Sequence, residues 1–387
     1  MSESASAKPK LSDDEREKRR EAILSAMSNP TEGYVAAERS ENDDDDDLQD
    51  EAPIPIHSHT HAHEPLHVNT AEEFIEINNV RLFSFDEVEL DKFTNCTSLS
   101  MRKNLIHELT PFPDHLAARL VELDLFDNKI KKIKPFFSDP PFLRLTKLDL
   151  SYNQIKVISG LEVLAPTLVE LYLVENKIKE IIGLDALVNL KLLELGGNRL
   201  REVGQGLAKL VNLEQLWLGK NKISSLGTGF QTLVKLRRLS LQANRLTSIT
   251  PENFPPGCHP ELAELYLSEN GLESIDNLPP LPNLQILDVS MNPIQKINDG
   301  VVNPSHFPTL EEFWLTDGKV DQWSEIDKLA SFRETLRTVY LERNPIESDK
   351  RYRDKVYLAL PFLTQIDSWP VVNKGNLEAD RAIHRRN

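Results

Sequence analysis

The chain is poor in cysteine, because its 387 residues contain only Cys96 and Cys258. Two cysteines cannot build a disulfide framework, which favours a reducing compartment such as the cytoplasm or nucleus. No apolar stretch approaches the roughly 20 residues of a membrane span. Residues 1–10 also lack the apolar core of a secretory signal. We therefore expect a protein of the nucleus and cytoplasm that does not enter a membrane.

Catalytic motifs are also lacking. The sequence has no phosphate-binding glycine loop, no nucleophile elbow and no paired CxxC, and its carboxylates are spread along the chain. A net charge of -16 leaves no basic stripe for nucleic acid. These absences predict a protein that is not an enzyme, that has no cofactor or metal site and that does not bind nucleic acid.

Histidine is concentrated in one short tract, and this tract carries the alternative from the enzyme class. It comprises His57, His59, His61, His63 and His67. Imidazole binds zinc and copper, so a metal-dependent hydrolase that uses this tract is conceivable. We favour a solvated low-complexity segment instead. Cys258 and His259 are adjacent in a predicted loop, and adjacency alone is weak evidence for a metal or nucleophilic pair.

The dominant positive feature is a repeated asparagine that follows a fixed leucine spacing. The clearest unit is Leu145-x-x-Leu148-x-Leu150-x-x-Asn153. Equivalent asparagines stand at Asn104, Asn128, Asn153, Asn176, Asn198, Asn221, Asn244, Asn270, Asn292 and Asn344. This is the leucine-rich-repeat signature, in which each unit contributes one short strand and a return segment. Such a unit buries its apolar side only by stacking on its neighbours. The asparagine amide is expected to pair inward-facing backbone groups.

The pattern predicts an α/β repeat solenoid, a horseshoe with a parallel concave β-sheet and about twelve repeats of 22–26 residues. The domain assignment is residues 1–70 as an acidic tail, 71–346 as the array, 347–370 as a C-terminal cap and 371–387 as a second tail. Residues 1–70 hold 7 Lys or Arg against 17 Asp or Glu. Such a segment buries too little apolar surface to offset its ordering entropy, so we predict disorder there. Gly318 stands where one repeat should carry asparagine.

Successive residues of a strand point to opposite faces of the sheet. The residue between two core leucines should therefore face the concave side, and so should the residue two positions before it. Five large aromatics and at least seven carboxylates are therefore expected on one solvent-facing sheet. Exposed aromatics surrounded by charge are typical of protein-binding surfaces. The candidate partner-binding residues are Asp149, Tyr172, Glu194, Trp217, Tyr266, Asp288, Glu312, Trp314 and Tyr340.

Residues 72–370 resemble the leucine-rich-repeat regulatory subunit of protein phosphatase 1, the regulatory subunit 7 family. The resemblance is carried by the segments Leu216-Trp-Leu-Gly-Lys-Asn-Lys-Ile223, Leu265-Tyr-Leu-Ser-Glu-Asn-Gly-Leu272, Glu312-Phe-Trp-Leu315 and Val339-Tyr-Leu-Glu-Arg-Asn-Pro-Ile346. It implies a concavity that clamps the phosphatase catalytic subunit, a largely nuclear location with a role in mitotic exit, and a ternary complex with phosphatase inhibitor 3. Except for Tyr266, the candidate residues match the positions that contact the phosphatase in that family. The alternative within the binding class is an adaptor for another protein, spliceosomal, axonemal or otherwise cytoskeletal.

Overall fold

The computed structural model describes residues 69–137 and 141–371. Predictions that concern residues 1–68, the histidine tract among them, and residues 372–387 lie outside this range. The predicted boundaries of the two tails therefore stay predictions.

Fourteen short strands form one sheet in chain order, and the first twelve are parallel neighbours. The first six are β1 (Phe74–Glu76), β2 (Ser98–Ser100), β3 (Glu122–Asp124), β4 (Lys147–Asp149), β5 (Glu170–Tyr172) and β6 (Leu192–Glu194). The next six are β7 (Gln215–Trp217), β8 (Arg238–Ser240), β9 (Glu264–Tyr266), β10 (Ile286–Asp288), β11 (Glu312–Trp314) and β12 (Thr338–Tyr340). Each has one residue on either side of a core position, so the predicted twelve repeats and parallel sheet are confirmed.

The return segments are mostly irregular, with a few short helices. They include α1 (Asp114–Ala117), α2 (Trp323–Asp327) and 3-10 turns at Phe85–Glu87, Leu90–Lys92, Glu162–Leu164, Lys328–Phe332 and Pro345–Ser348. The middle residue of each strand points inward, as Leu171, Leu193 and Leu216 show by having no exposed surface. One continuous apolar core therefore runs between the sheet and the return segments from Ile75 to Ile366.

The repeated asparagine pairs backbone groups of two repeats at once. Nδ2 of Asn198 donates to the carbonyls of Leu173 at 2.8 Å and Leu195 at 3.0 Å, while its Oδ1 accepts the N–H of Ile178 at 3.0 Å. Buried backbone groups are costly to leave unpaired, so this side chain links each repeat to its neighbour. The residue before each of the ten asparagines has positive φ, which turns the chain away from the sheet.

Gly318 breaks this ladder without breaking the sheet. Asn292 and Asn344, in the flanking repeats, donate to the carbonyls of Val289 and Leu315. The N–H of Ile294 turns to the carbonyl of Asn292 at 2.8 Å. Strand β11 therefore keeps its register with β10 and β12 on either side of Trp314.

The predicted C-terminal cap is confirmed as helix α3 (Tyr352–Ala359), which ends just before Pro361, followed by β13 (Gln365–Ile366) and β14 (Trp369–Pro370). Strand β13 is parallel to β12, and β14 turns back antiparallel. Asp367 takes over the bridging role: its Oδ1 accepts the N–H groups of Leu341 at 2.8 Å and Glu342 at 3.1 Å. The hydroxyl of Tyr352 donates to its Oδ2 at 3.1 Å.

Candidate partner-binding surface

The sheet register brings the candidate residues onto one face. Asp149, Tyr172, Glu194 and Trp217 are successive cross-strand partners on β4 to β7. The other five, Tyr266, Asp288, Glu312, Trp314 and Tyr340, follow on β9 to β12. Strand β8 separates the two groups and places Ser240 between Trp217 and Tyr266. Nine side chains that are spread over about 190 residues of sequence therefore meet on one concave surface.

Four rings form a continuous aromatic row, which we define as Trp217, Tyr266, Trp314 and Tyr340. Trp217 and Tyr266 stack at 6.4 Å with 15° between planes. Tyr266 meets Trp314 edge-on at 6.2 Å, and Trp314 meets Tyr340 at 5.2 Å. The first two contacts each span an intervening strand, about 9.6 Å between backbones. The rings lean together because that intervening strand carries only Ser240 or Asp288.

This leaning makes part of the solvent-exposure prediction wrong. Tyr266 retains 3% of its surface, Trp314 retains 9%, and Asp288, expected to face solvent, retains 1%. Alternation correctly gives the face on which these side chains lie, but neighbouring rings cover them on a concave sheet. Tyr172, Trp217 and Tyr340 stay half-buried.

Carboxylates fix three of the rings from within the same strand. The hydroxyl of Tyr172 donates to Oε2 of Glu170 at 2.9 Å, and that of Tyr266 donates to Oε2 of Glu264 at 2.9 Å. Trp314 Nε1 donates to Oε2 of Glu312 at 3.0 Å. Each pair is two residues apart in a Glu-x-aromatic segment. That recurring segment is a sequence signal for ring positioning.

Arg238 joins the acidic and aromatic features at the centre of the surface. Its guanidinium lies 5.3 Å from the centroid of the Trp217 ring. It donates to Oε1 of Glu264 at 2.7 Å and to Oε1 of Gln215 at 3.2 Å. A planar guanidinium holds a carboxylate and a ring face together, so Trp217 is positioned by β8 and β9 as well as by its own strand.

Asp288 carries a buried carboxylate beneath the aromatic row. Its Oδ1 accepts the N–H of Ser290 at 2.9 Å, and its Oδ2 accepts no hydrogen bond of normal geometry among the described residues. Burial raises the pKa of Asp288, while the N–H of Ser290 and the hydroxyls of Ser268 and Ser290 act in the opposite direction. Oδ2 of Asp288 is thus enclosed beneath the rings.

The other end of the surface is acidic. We define the acidic group as Asp124, Asp149 and Glu194. Burial raises the pKa of Asp124 and of Glu194, and repulsion by Asp149 raises both further. Arg102 lies 3.1 Å from Oδ2 of Asp124, and Oδ1 of Asp149 accepts the N–H of Ser151 at 2.8 Å. This cluster of like charges favours a partner that brings a basic group.

The other candidate chemical groups are parts of the core. Cys96 and Cys258 are buried free thiols, and burial raises the pKa of Cys96 to about 11 and that of Cys258 to about 12. His259 stacks on Phe230 at 5.2 Å, and its Nδ1 lies 3.3 Å from the carbonyl of Leu233. These contacts give His259 a packing role in the return segment.

Across residues 69–137 and 141–371, no three His, Cys, Asp or Glu side chains are grouped as metal ligands. In the same residues, no helix has the length and apolar composition that crossing a bilayer requires.

Comparison with protein families finds leucine-rich-repeat models over residues 145–158, 188–246 and 260–387. Among solved structures, an internalin from Listeria monocytogenes aligns with a TM-score of 0.56 at 21% identity, covering 78% of this chain and 87% of the internalin. At this identity the likeness shows the fold alone. The family models and the likeness to the internalin agree on the leucine-rich-repeat architecture.

Three curated proteins show the sequence relationship. A protein phosphatase 1 regulatory inhibitor subunit homolog of Arabidopsis thaliana is 34% identical over 36% of this chain and 49% of its own length. Human protein phosphatase 1 regulatory subunit 7 is 53% identical over 13% of both chains. A probable U2 small nuclear ribonucleoprotein A' of Drosophila melanogaster is 33% identical over 26% of this chain and 37% of its own length. The matches thus span half or less of each relative. The chain is a leucine-rich-repeat protein, and its resemblance to the regulatory subunits of protein phosphatase 1 is confirmed by these relatives.

Proposed function

We propose that the protein is a non-catalytic regulatory subunit of protein phosphatase 1 that binds the catalytic subunit on its concave surface. The observation that carries this proposal is the aromatic row, in which carboxylates hold Tyr266 and Trp314, together with the flanking acidic group. The names of the relatives supply the identity of the partner. Phosphatase control, whether by inhibition, maturation or targeting, is part of the same proposal.

The geometry suits a binding surface whose side chains lose little conformational entropy when a partner binds. Binding costs free energy when side chains must be ordered, so rings already held in place bind more strongly. Glu312 holds Trp314 from within β11, and Tyr340 borders it on the neighbouring strand β12, so this ring is fixed between a carboxylate and a second ring. Interface hot spots are typically such central aromatic side chains.

Three finer expectations extend the proposal. A ternary complex with phosphatase inhibitor 3 and a location in the nucleus and cytoplasm both rest on the resemblance. The absence of catalysis rests on the regulatory names of the relatives and on the binding character of the surface.

The enzyme alternative is tested by assaying the purified protein for hydrolysis in the presence of zinc or copper. Turnover that is lost when His57, His59, His61 and His63 are all replaced by alanine would establish it.

The proposal is tested by affinity purification followed by calorimetry with the phosphatase 1 catalytic subunit. We expect a stoichiometric complex, with Trp314→Ala and Tyr340→Ala each weakening binding by about 2 kcal/mol or more. Trp369→Ala is the matched control, because Trp369 is exposed and pairs with the inward-facing Ile366 at the cap. Wild-type affinity in folded Trp314→Ala and Tyr340→Ala variants would refute the use of this surface.

An adaptor for a different protein is the second candidate. The similarity to a U2 small nuclear ribonucleoprotein A' supports it, because that relative is also matched over a quarter of this chain. The purification separates the two candidates: a spliceosomal protein recovered in stoichiometric amount, without phosphatase, would favour the adaptor.

A further inference from the structure

The residue two positions after each strand directs its backbone N–H to the concave side, where most repeats supply their own acceptor. Side chains of Asp124 and Asp149 accept the N–H groups of Phe126 at 3.0 Å and Ser151 at 2.8 Å. The hydroxyl of Ser151 then accepts the N–H of Val174 at 3.2 Å. Carboxylates and hydroxyls on the concave side therefore reach this N–H position.

The same arrangement recurs near the C-terminus. Asp288 accepts the N–H of Ser290 at 2.9 Å, and the hydroxyl of Ser290 accepts the N–H of Thr316 at 3.1 Å. The N–H of Glu342 reaches Asp367 at 3.1 Å. The N–H of Arg102 reaches Asn78 at 2.7 Å. The repeats from β2 to β5 and from β10 to β12 therefore all provide an acceptor for the N–H group two positions after the strand.

Four consecutive repeats in the middle do not. Among the described residues, no backbone or side-chain acceptor receives the N–H groups of Gly196, Gly219, Gln242 and Ser268. Neighbouring strands lie about 4.8 Å apart, so these four donors span roughly 14 Å along the surface. The interruption is contiguous and follows strands β6 to β9, from the end of the acidic group at Glu194 to the first two rings of the aromatic row, Trp217 and Tyr266.

Two glycines leave the beginning of this donor row without a side-chain acceptor. Gly196 and Gly219 carry no side chain that could cap the next repeat, as Ser151 and Ser290 do elsewhere. A Cβ on Gly196 would meet its nearest neighbour, the carbonyl oxygen of Gly219, at an ordinary 3.4 Å. Packing therefore does not require glycine at position 196, so the missing acceptor needs another explanation.

We infer that the N–H groups of Gly196, Gly219, Gln242 and Ser268 form a docking edge for main-chain carbonyls of the partner. This inference rests on the proposed function, in that the partner occupies the concave surface. A neutral acceptor fits because Glu194, Glu264 and Asp288 lie on strands beside the row and would repel an anion, while Arg238 is already paired with Glu264. Unmade hydrogen bonds are expensive to bury, so a partner that covers these donors must supply acceptors.

Serine substitution tests the inference, because serine at this position caps the next repeat. We expect Gly196→Ser to accept the N–H of Gly219, and Gly219→Ser to accept that of Gln242. The Gly219→Ser side chain requires only the flexible Cγ of Gln242 to move, since a Cβ would lie 2.9 Å from it. The matched control is Gly271→Ser, whose position lies outside the row and whose own N–H already bonds to Leu246 at 2.8 Å.

The first measurement is amide hydrogen exchange of the free protein by nuclear magnetic resonance. In the wild type, the amides of Gly219 and Gln242 should exchange faster than those of Ser290 and Thr316, and the two serine substitutions should slow them. Equal exchange at all four wild-type amides would overturn the open donor row, whatever the partner is.

The second measurement is calorimetry of the Gly196→Ser/Gly219→Ser variant with the phosphatase 1 catalytic subunit. Losing two interface hydrogen bonds should weaken binding roughly tenfold, with Gly271→Ser unchanged. Wild-type affinity in the double variant would overturn this inference but leave the proposed function standing. A wild-type protein that does not bind the phosphatase would overturn both. Competition by inorganic phosphate beyond that of chloride at equal ionic strength would also overturn it, by showing an anion site.

Discussion

At the scale of single residues, Asp288 is placed where stability and binding have opposite requirements. Its carboxylate is buried and its pKa is raised, so the charged form costs free energy in the unbound protein. Its Oδ1 has a structural task at the N–H of Ser290, whereas its Oδ2 has none among the described residues.

We predict that Asp288→Asn raises the free energy of unfolding at pH 7 by roughly 1 kcal/mol and weakens partner binding. Asparagine keeps the acceptor for Ser290 but removes the buried charge. Chemical denaturation and calorimetry check the two effects. Asp149→Asn is the control for stability, because Asp149 has the same task at Ser151 but is only half-buried. A variant of Asp288 that is less stable than the wild type would contradict the assignment.

His259 gives a second residue-scale prediction, on pH. Burial lowers the pKa of His259 from its ordinary 6.5 to about 4, against the smaller opposing effect of the Leu233 carbonyl. Between pH 6.5 and pH 4, His259 is protonated in the unfolded chain and neutral in the folded chain. The stability supplied by neutral His259 is therefore present above pH 6.5 and lost as the pH falls toward 4.

Relative to His259→Phe, the wild type should lose on the order of 2 kcal/mol of stability between pH 7 and pH 5. Phenylalanine preserves the stacking position beside Phe230 and Phe254. Denaturation curves of both proteins at each pH give the difference, in which the remaining histidines cancel. Parallel pH profiles would show that His259 is not the titrating group.

The residue scale also shows where sequence reasoning ends. The repeat spacing places Tyr266, Asp288 and Trp314 on the concave face, because alternation is a property of any strand. It does not give their burial, because that depends on how far rings lean across a strand that carries a small residue. Nor does it show that four backbone donors lack acceptors, since this requires the hydrogen bonds of every neighbouring repeat. The Glu-x-aromatic segments were readable and indicate the ring-holding bonds.

At the scale of one repeat, the asparagine ladder explains how strands of three residues hold their register. Asn198 satisfies three buried backbone groups, and Gly318 shows that a repeat without the amide survives when both neighbours compensate. The cost of losing the amide therefore depends on whether the local backbone has already adjusted.

We predict that Asn198→Ala lowers the free energy of unfolding by several kcal/mol, because roughly 1–3 kcal/mol is lost for each buried group left unpaired. Restoring the consensus with Gly318→Asn should also destabilise, since a Cβ there would lie 2.6 Å from Oδ1 of Asn344. Urea denaturation measures both. A more stable Gly318→Asn variant would show that Asn344 can yield and that the ladder tolerates an added amide.

At the scale of the whole molecule, each repeat buries its apolar side only against its neighbours, so the first and last repeats of the array need other cover. The C-terminal end is closed by α3, β13 and Asp367, which satisfy the backbone of β12 and cover its apolar side. The N-terminal repeat starts at β1, and the continuous core begins at Ile75.

Truncation should therefore affect the two ends of the chain differently. Removing residues 347–387 takes away Tyr352, Val356 and Ile366 from the core and the acceptor of the Leu341 N–H, so we expect a melting temperature lower by many degrees and aggregation of the exposed edge. Removing residues 1–68 should leave the melting temperature nearly unchanged, because the acidic composition predicts little apolar burial there. Calorimetric melting of both truncations and of the full chain decides this. An N-terminal truncation that destabilises as much as the C-terminal one would place part of the first 68 residues in the folded array.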